Sequence, residues 1–290
     1  MNSKLRAHIL LLTANILFGL NYTIAKDLMP LYLMPKAIIF VRVLVTSFLF
    51  WILFSFGKNE KVEKKDLLLL ALCALFGVAF NQIMFFEGLN LSKPINVAII
   101  QTINPILVLL MAAFIIKERI NSKKIIGIIL GAAGAIYLIL NKGDMTLSLK
   151  TLKGDIYIIL NSASYAVYLV LLKPLMKKYS SVTLMKWIFL FGFIFVAPFC
   201  YNSFTEVTWN FSVHIWFALG YVVIATTFVA YLLLTESMKF VSPTVVSMYI
   251  YLQPLFAALS AILLSRDVLT TDKIISAVLI FAGVYVVSRN

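Results

Sequence analysis

Charge is scarce in this chain, and so are the side chains that usually carry chemistry. Of 290 residues only 13% are Asp, Glu, Lys or Arg, against about a quarter in ordinary soluble domains. There are two histidines, His8 and His214, and two cysteines, Cys73 and Cys200. Both cysteines lie inside apolar runs without CxxC or Cys/His company, which excludes a disulfide framework and a cysteine-based metal site. No HExxH and no paired carboxylates occur, so the clusters a multipass membrane enzyme needs at a membrane face are missing. No cofactor and no metal are expected. Acid is scarcer than base, 12 residues against 25, for a net charge of +13. The basic residues are scattered between apolar runs and not gathered on one amphipathic face, which argues against nucleic acid as a partner.

What is abundant is apolar surface: 62% of the chain, against about 45–50% in soluble domains. The composition is that of a polytopic membrane protein whose solvent is a lipid bilayer. Runs of roughly 17–25 apolar residues predict ten helices: Leu5–Ala25, Ala37–Phe56, Leu67–Glu87, Pro94–Ile116, Lys124–Leu140, Asp155–Leu172, Val182–Tyr201, His214–Ser237, Pro243–Leu264 and Thr271–Ser288. Lys4 and Arg6 precede the first run, but no small-residue cleavage motif follows, so it reads as an uncleaved membrane helix. With the N-terminus inside, the inner connections hold 15 Lys and Arg and the outer ones 8. That bias puts both termini in the cytoplasm. The connection from Asn141 to Lys153, with three Lys on the outer side, runs against it.

The few prolines are informative. Of eight, four fall into two pairs at one offset: Pro94 matches Pro243 and Pro105 matches Pro254, each 149 residues on. The same offset joins Glu87 to Glu236, Glu118 to Asp267 and Gly134 to Gly283. The chain is therefore an internal repeat, with residues 1–141 as the first copy, 142–152 as a connecting loop and 153–290 as the second. Five helices per copy is an odd number, so the second copy crosses the membrane in the opposite sense. The predicted fold is an all-α membrane protein with ten transmembrane helices in two inverted five-helix repeats. Pro105 and Pro254 each lie about 16 Å into their helix, near the bilayer middle. Each frees a backbone carbonyl there, and paired interruptions of this kind point to a transporter binding site.

The candidate binding residues follow from that geometry. Asn104 and Gln253, beside the two prolines, are expected to line a central cavity with Asn21, Asn81, Gln82, Gln101, Tyr168 and Tyr249. Alternatively, Asn104 and Gln253 serve structure alone, satisfying the carbonyls that Pro105 and Pro254 release. Aromatic walls with a few amides suit a small zwitterion or aromatic metabolite better than a strongly charged one. Glu87 and Glu236, at opposite faces, are either gates or proton sites, which would make the proton the coupling ion, or interfacial caps. Arg42 and Lys186, near helix starts, read as long basic chains reaching the interface. Asn15, Asn161 and Ser164 read as helix-packing polar groups or as further inward-facing ones. Gly127, Gly131 and Gly134 share one side of the fifth helix and read as a packing stripe, within a monomer or across a homodimer.

These residues also carry a resemblance covering nearly the whole chain. FGLNYTIAK, FFEGLNLSKPINVAIIQTINPILVLLMAAFIIKERI and GIILGAAGAIYLIL in the first half, with TESMKFVSPTVVSMYIYLQPLFAALSAILLSRDVL and IFAGVYVV in the second, resemble the EamA-type branch of the drug/metabolite transporter superfamily. The usual Trp before the first-helix Gly is Phe18 here, and Ser265 and Arg266 precede Asp267 where a Gly-Glu pair is common. The resemblance implies ten helices, an inner-membrane location and alternating-access transport, often export, of small metabolites such as amino acids. The other classes to be weighed are the membrane enzyme and a channel or sensor. A sensor would show a soluble effector domain, and the longest connection here is only about a dozen residues.

Overall fold

The computed structural model describes residues 3–56, 60–92, 94–140, 149–263 and 270–288. Lys58, Ser265, Arg266 and Asp267 lie outside them. Every regular element among the described residues is helical: α1 (Ser3–Leu28), α2 (Pro35–Ser55), α3 (Lys64–Leu91), α4 in two pieces (Pro94–Gln101 and Asn104–Ile115), α5 (Ser122–Leu140), α6 (Leu149–Leu175), α7 (Ser181–Thr205), α8 (Val213–Ser237), α9 in two pieces (Pro243–Met248 and Leu252–Leu263) and α10 (Thr271–Ser288). Nine described segments are long and apolar enough to cross a membrane, and a shorter apolar helix, Pro243–Leu259, holds the ninth place. The α6 backbone is already helical at Leu149, within the stretch 142–152 expected as connecting loop, whose residues up to 148 lie outside the described ones.

Local chemistry sets the helix ends. Pro35 occupies the first turn of α2 after an extended Met34, where its missing N–H is no loss. Ser180 caps α7 by accepting the Thr183 N–H at 3.3 Å, and Ser242 caps α9 by accepting the Val245 N–H at 3.4 Å. The prolines break α4 and α9 as expected. In α4 the helix lapses after Gln101 and restarts at Asn104 with Pro105 in its first turn. In α9 a tighter 3-10 turn, Tyr249–Tyr251, separates the pieces, and Pro254 sits in the first turn of the second.

Composition did not announce a second pair of irregularities. α3 widens to a π-helix over Leu75–Ala79 and α8 over Tyr221–Val229. At the repeat offset, Leu75–Ala79 maps onto 224–228, inside the second segment. Carbonyls that such a turn misaligns find side-chain donors. Ser164 donates to Phe76 O at 2.5 Å and Tyr231 to Gly77 O at 3.2 Å. In α8 both Thr226 and Thr227 donate to Val222 O, at 2.7 and 2.8 Å.

Packing follows the repeat. Counterpart helices meet each other: α2 against α7, α4 against α9, α5 against α10. Other neighbours come in matched pairs: α1 on α8 and α9 with α6 on α3 and α4, and α2 on α8 with α7 on α3. Two bundles result, α1/α8/α9 and α3/α4/α6, each holding helices from both copies. Gly127 and Gly134 of α5 face α10, and Gly131 faces Tyr251 and Met248 of α9, which assigns the stripe to packing within the monomer. A Cβ on Gly283 would stand 2.6 Å from Gly127 O and 2.7 Å from Gly131 N.

Candidate functional site

Between the two bundles lies a cavity of about 640 Å³, its open mouth included, lined by Phe18, Asn21, Arg42, Asn81, Gln82, Phe85, Phe86, Gln101, Asn161, Tyr165, Tyr231, Ile250 and Gln253. Its walls come from α1, α2, α3, α4, α6, α8 and α9, so both repeats contribute. The mixture of aromatic wall with a few polar groups is typical of small-molecule sites.

Amide pairs hold the broken helices to their neighbours. Gln101 Nε2–H donates to Asn161 Oδ1 at 2.9 Å, and Asn161 Nδ2–H donates to Asn81 O at 2.8 Å. On the other side Gln253 Nε2–H donates to Asn15 Oδ1 at 2.8 Å, while Asn15 Nδ2–H returns to Leu11 O at 2.8 Å. Each pair joins an Asn on the first helix of one copy to a Gln on the broken helix of the other. Asn21 Oδ1 lies 3.3 Å from the Thr226 hydroxyl, whose hydrogen goes to the nearer Val222 O. Gln82, only 2% exposed, has no hydrogen-bond partner for either amide atom among the described residues.

Five of the eight residues expected at the site therefore share this wall: Asn21, Asn81, Gln82, Gln101 and Gln253. The other three face elsewhere. Asn104 is wholly buried and donates to Ser162 O at 3.0 Å, a tie from α4 to α6. Tyr168 packs on Gly77, whose missing side chain makes room for its ring. Tyr249 turns to α1, its hydroxyl 2.7 Å from His8 Nδ1. Pro254 borders a small void beside Tyr251.

The expectation that Arg42 and Lys186 reach the interface does not hold, because each is only 4% exposed. Lys186 Nζ sits among the rings of Phe54, Trp51 and Trp187, at 3.1, 4.5 and 5.3 Å from their centroids. Arg42 faces the cavity. Its Nε–H donates to Thr227 Oγ1 at 2.7 Å and its guanidinium lies 4.6 Å from the Phe86 ring centroid. The sequence signal that would have found it is Pro35: a helix starting there carries Arg42 seven residues, about 10 Å, inward.

Glu236 ends α8 in a cluster: Lys239 at 2.6 Å, Arg6 at 3.5 Å and the Ser181 hydroxyl at 2.6 Å. Glu87 is half-buried near the far end of α3. Two lysines tie the bundles together at the two ends of the molecule. Lys26, at the end of α1, donates to Leu89 O at 2.7 Å and Asn90 O at 3.2 Å at the end of α3. Lys173, at the end of α6, donates to Met238 O and, at 2.7 Å, to Val241 O between α8 and α9. Leu89 and Met238 are 149 residues apart, so the two ties are counterparts.

Comparison with known proteins agrees with this architecture. The model of the EamA-like transporter family matches residues 5–140 and again 152–289. An uncharacterized transporter of Archaeoglobus fulgidus is 29% identical over 100% of this chain and 99% of its own. The uncharacterized transporter YyaM of Bacillus subtilis is 23% identical over 98% and 94%. A WAT1-related protein of Arabidopsis thaliana is 25% identical over 93% and 79%. A solved crystal structure, 17% identical, superposes with a TM-score of 0.79 over 97% of this chain and 95% of its own, which shows the shared fold. Family and relatives indicate a transporter and not an enzyme, and with two family matches filling the two halves, the chain belongs to the EamA-like transporter family.

Proposed function

We propose that this membrane transporter moves a small metabolite by alternating access, as an exporter in the inner (plasma) membrane with both termini in the cytoplasm. The observation that carries the reading is the pair of lysine ties on either side of one cavity. Lys26 and Lys173 each join the same two bundles, one at each end, and both ties are formed here. Opening the cavity to one side requires releasing one tie while the other stays closed. A channel needs no such alternation. The outer label for Lys26 and the inner label for Lys173 follow from the excess of Lys and Arg on the inner connections.

Site-directed labelling tests this. With Cys73 and Cys200 replaced by Ala, a cysteine is placed at Gln82 and challenged with a membrane-impermeant thiol reagent from each side. Lys26→Met should raise labelling several-fold from the outside only, and Lys173→Met from the inside only. Labelling from both sides at once in either variant would make the protein a channel. A reporter after Asn290 should be cytoplasmic and one within residues 204–210 external, and the reverse would exchange the inner and outer labels.

A further inference from the structure

Arg42 is a buried cation aimed into the cavity with no anion to meet it. Among the described residues it makes one hydrogen bond, from Nε to Thr227, and has no carboxylate within ion-pair distance. A guanidinium has five N–H donors, so four are left for something else. Phe86 covers one face of it, and the cavity is what the free edge meets. A buried unpaired charge is unfavourable, and an ionisable side chain that lines a cavity inside a membrane span is a candidate for binding an opposite charge. Nothing else on the wall is ionised at neutral pH: the remaining lining residues are amides, phenols and hydrocarbon.

We propose that the transported metabolite is a monocarboxylate, its carboxylate held in the planar fork of the Arg42 guanidinium and its apolar body against Phe18, Phe85 and Tyr165. Arg matches a carboxylate with two parallel hydrogen bonds, and Thr227 already fixes the rotation of its side chain. One guanidinium balances one negative charge, so dicarboxylates and phosphate esters would bring an excess that the amides of Asn81, Gln82 and Gln101 do not neutralise. With no acid in the wall, a substrate carrying only an ammonium would be repelled. An amino acid fits through its carboxylate. The assignment rests on the transport reading above and deepens it.

The test compares cells expressing the protein with cells lacking it by untargeted metabolomics of cytosol and medium. The same is done for Arg42→Gln and Arg42→Lys at matched membrane levels. Expected are species that carry one carboxylate, whose redistribution falls at least tenfold in Arg42→Gln and is partly kept in Arg42→Lys. Amines, neutral compounds or phosphate esters as the moved species would overturn the assignment while leaving transport intact, as would unchanged redistribution in Arg42→Gln. Should Arg42→Gln fail to reach the membrane, the chemical class moved by the unaltered protein decides the matter alone. If expression redistributes nothing, the transport reading fails and the carboxylate assignment falls with it.

Discussion

Tyr251 donates its hydroxyl hydrogen to the carbonyl oxygen of Thr102 at 3.1 Å, and the two residues are each other's counterparts, 149 positions apart in a chain that repeats with that period. Counterparts touch only where a two-fold axis passes between them. The bond therefore marks the axis, at the level where α4 and α9 both break, and Tyr251 serves a backbone carbonyl at the break of α4.

Tyr251→Phe leaves that buried carbonyl without its donor. An unfolding midpoint measured on protein in nanodiscs should fall, by roughly 1–3 kcal/mol of stability. An unchanged midpoint would mean the carbonyl finds another donor.

The α5/α10 contact gives a matched pair of glycine variants. Gly283→Ala puts a methyl 2.6 Å from Gly127 O, against rigid backbone, whereas Gly220→Ala meets nothing within 4 Å. Melting should show Gly283→Ala less stable by about 1–3 kcal/mol from overpacking and Gly220→Ala unchanged or slightly better. Equal behaviour of the two would remove the close α5/α10 approach.

Asn104 and Gln253 were equivalent by sequence and are not equivalent in space. Asn104→Leu should lower folded yield and melting temperature while leaving substrate affinity in the surviving protein unaltered, because its bond is to Ser162 O. Gln253→Leu should weaken binding as well as cost some stability, since Gln253 is part of the cavity wall and also donates to the buried Asn15. Ligand-protection and melting assays on the same preparations separate the two.

Glu60 supplies a pH dependence outside the membrane. Partial burial alone would raise its carboxyl, but hydrogen bonds from Thr183 and from the Ser180 backbone and hydroxyl outweigh this and hold it below the ordinary glutamate value. The Ser180 N–H, at 2.9 Å from Oε2, belongs to the N-terminus of α7, where a negative charge is favoured. A depressed folded pKa means the stabilisation is present above the unfolded value, about 4.3, and is lost as pH falls through the folded one. Melting temperature between pH 6 and pH 3 should therefore fall less steeply for Glu60→Gln than for the unaltered protein. Identical slopes would show that Glu60 is not among the titrating groups that matter.

Hydropathy and one offset made the helices and the inverted repeat legible, because a bilayer imposes length and composition on every crossing segment. The breaks in α4 and α9 were legible for the same kind of reason, since proline cannot supply the missing N–H. The site was legible only in part. Asn104, Tyr168 and Tyr249 are inward-facing polar residues, but inward includes helix contacts as well as free space, and spacing does not tell these apart. Arg42 was misread because a basic residue near an apparent helix start has two destinations, the interface and the interior. Its partners on α3 and α8 are far away in sequence.

The π turns of α3 and α8 carry a consequence for how the walls are aimed. Each holds one residue more than an α-turn, so the helical segment beyond it is rotated by about 100° relative to an unbroken helix. In α3 that segment carries Asn81, Gln82, Phe85 and Phe86, and in α8 it carries Tyr231, the counterpart of Gln82. Deleting a single residue from Leu75–Ala79 would restore an ideal helix and turn that whole set away from the cavity. The surplus residue in each copy thus works like a keyed shim, and the most regular version of either helix would present the wrong face to the cargo.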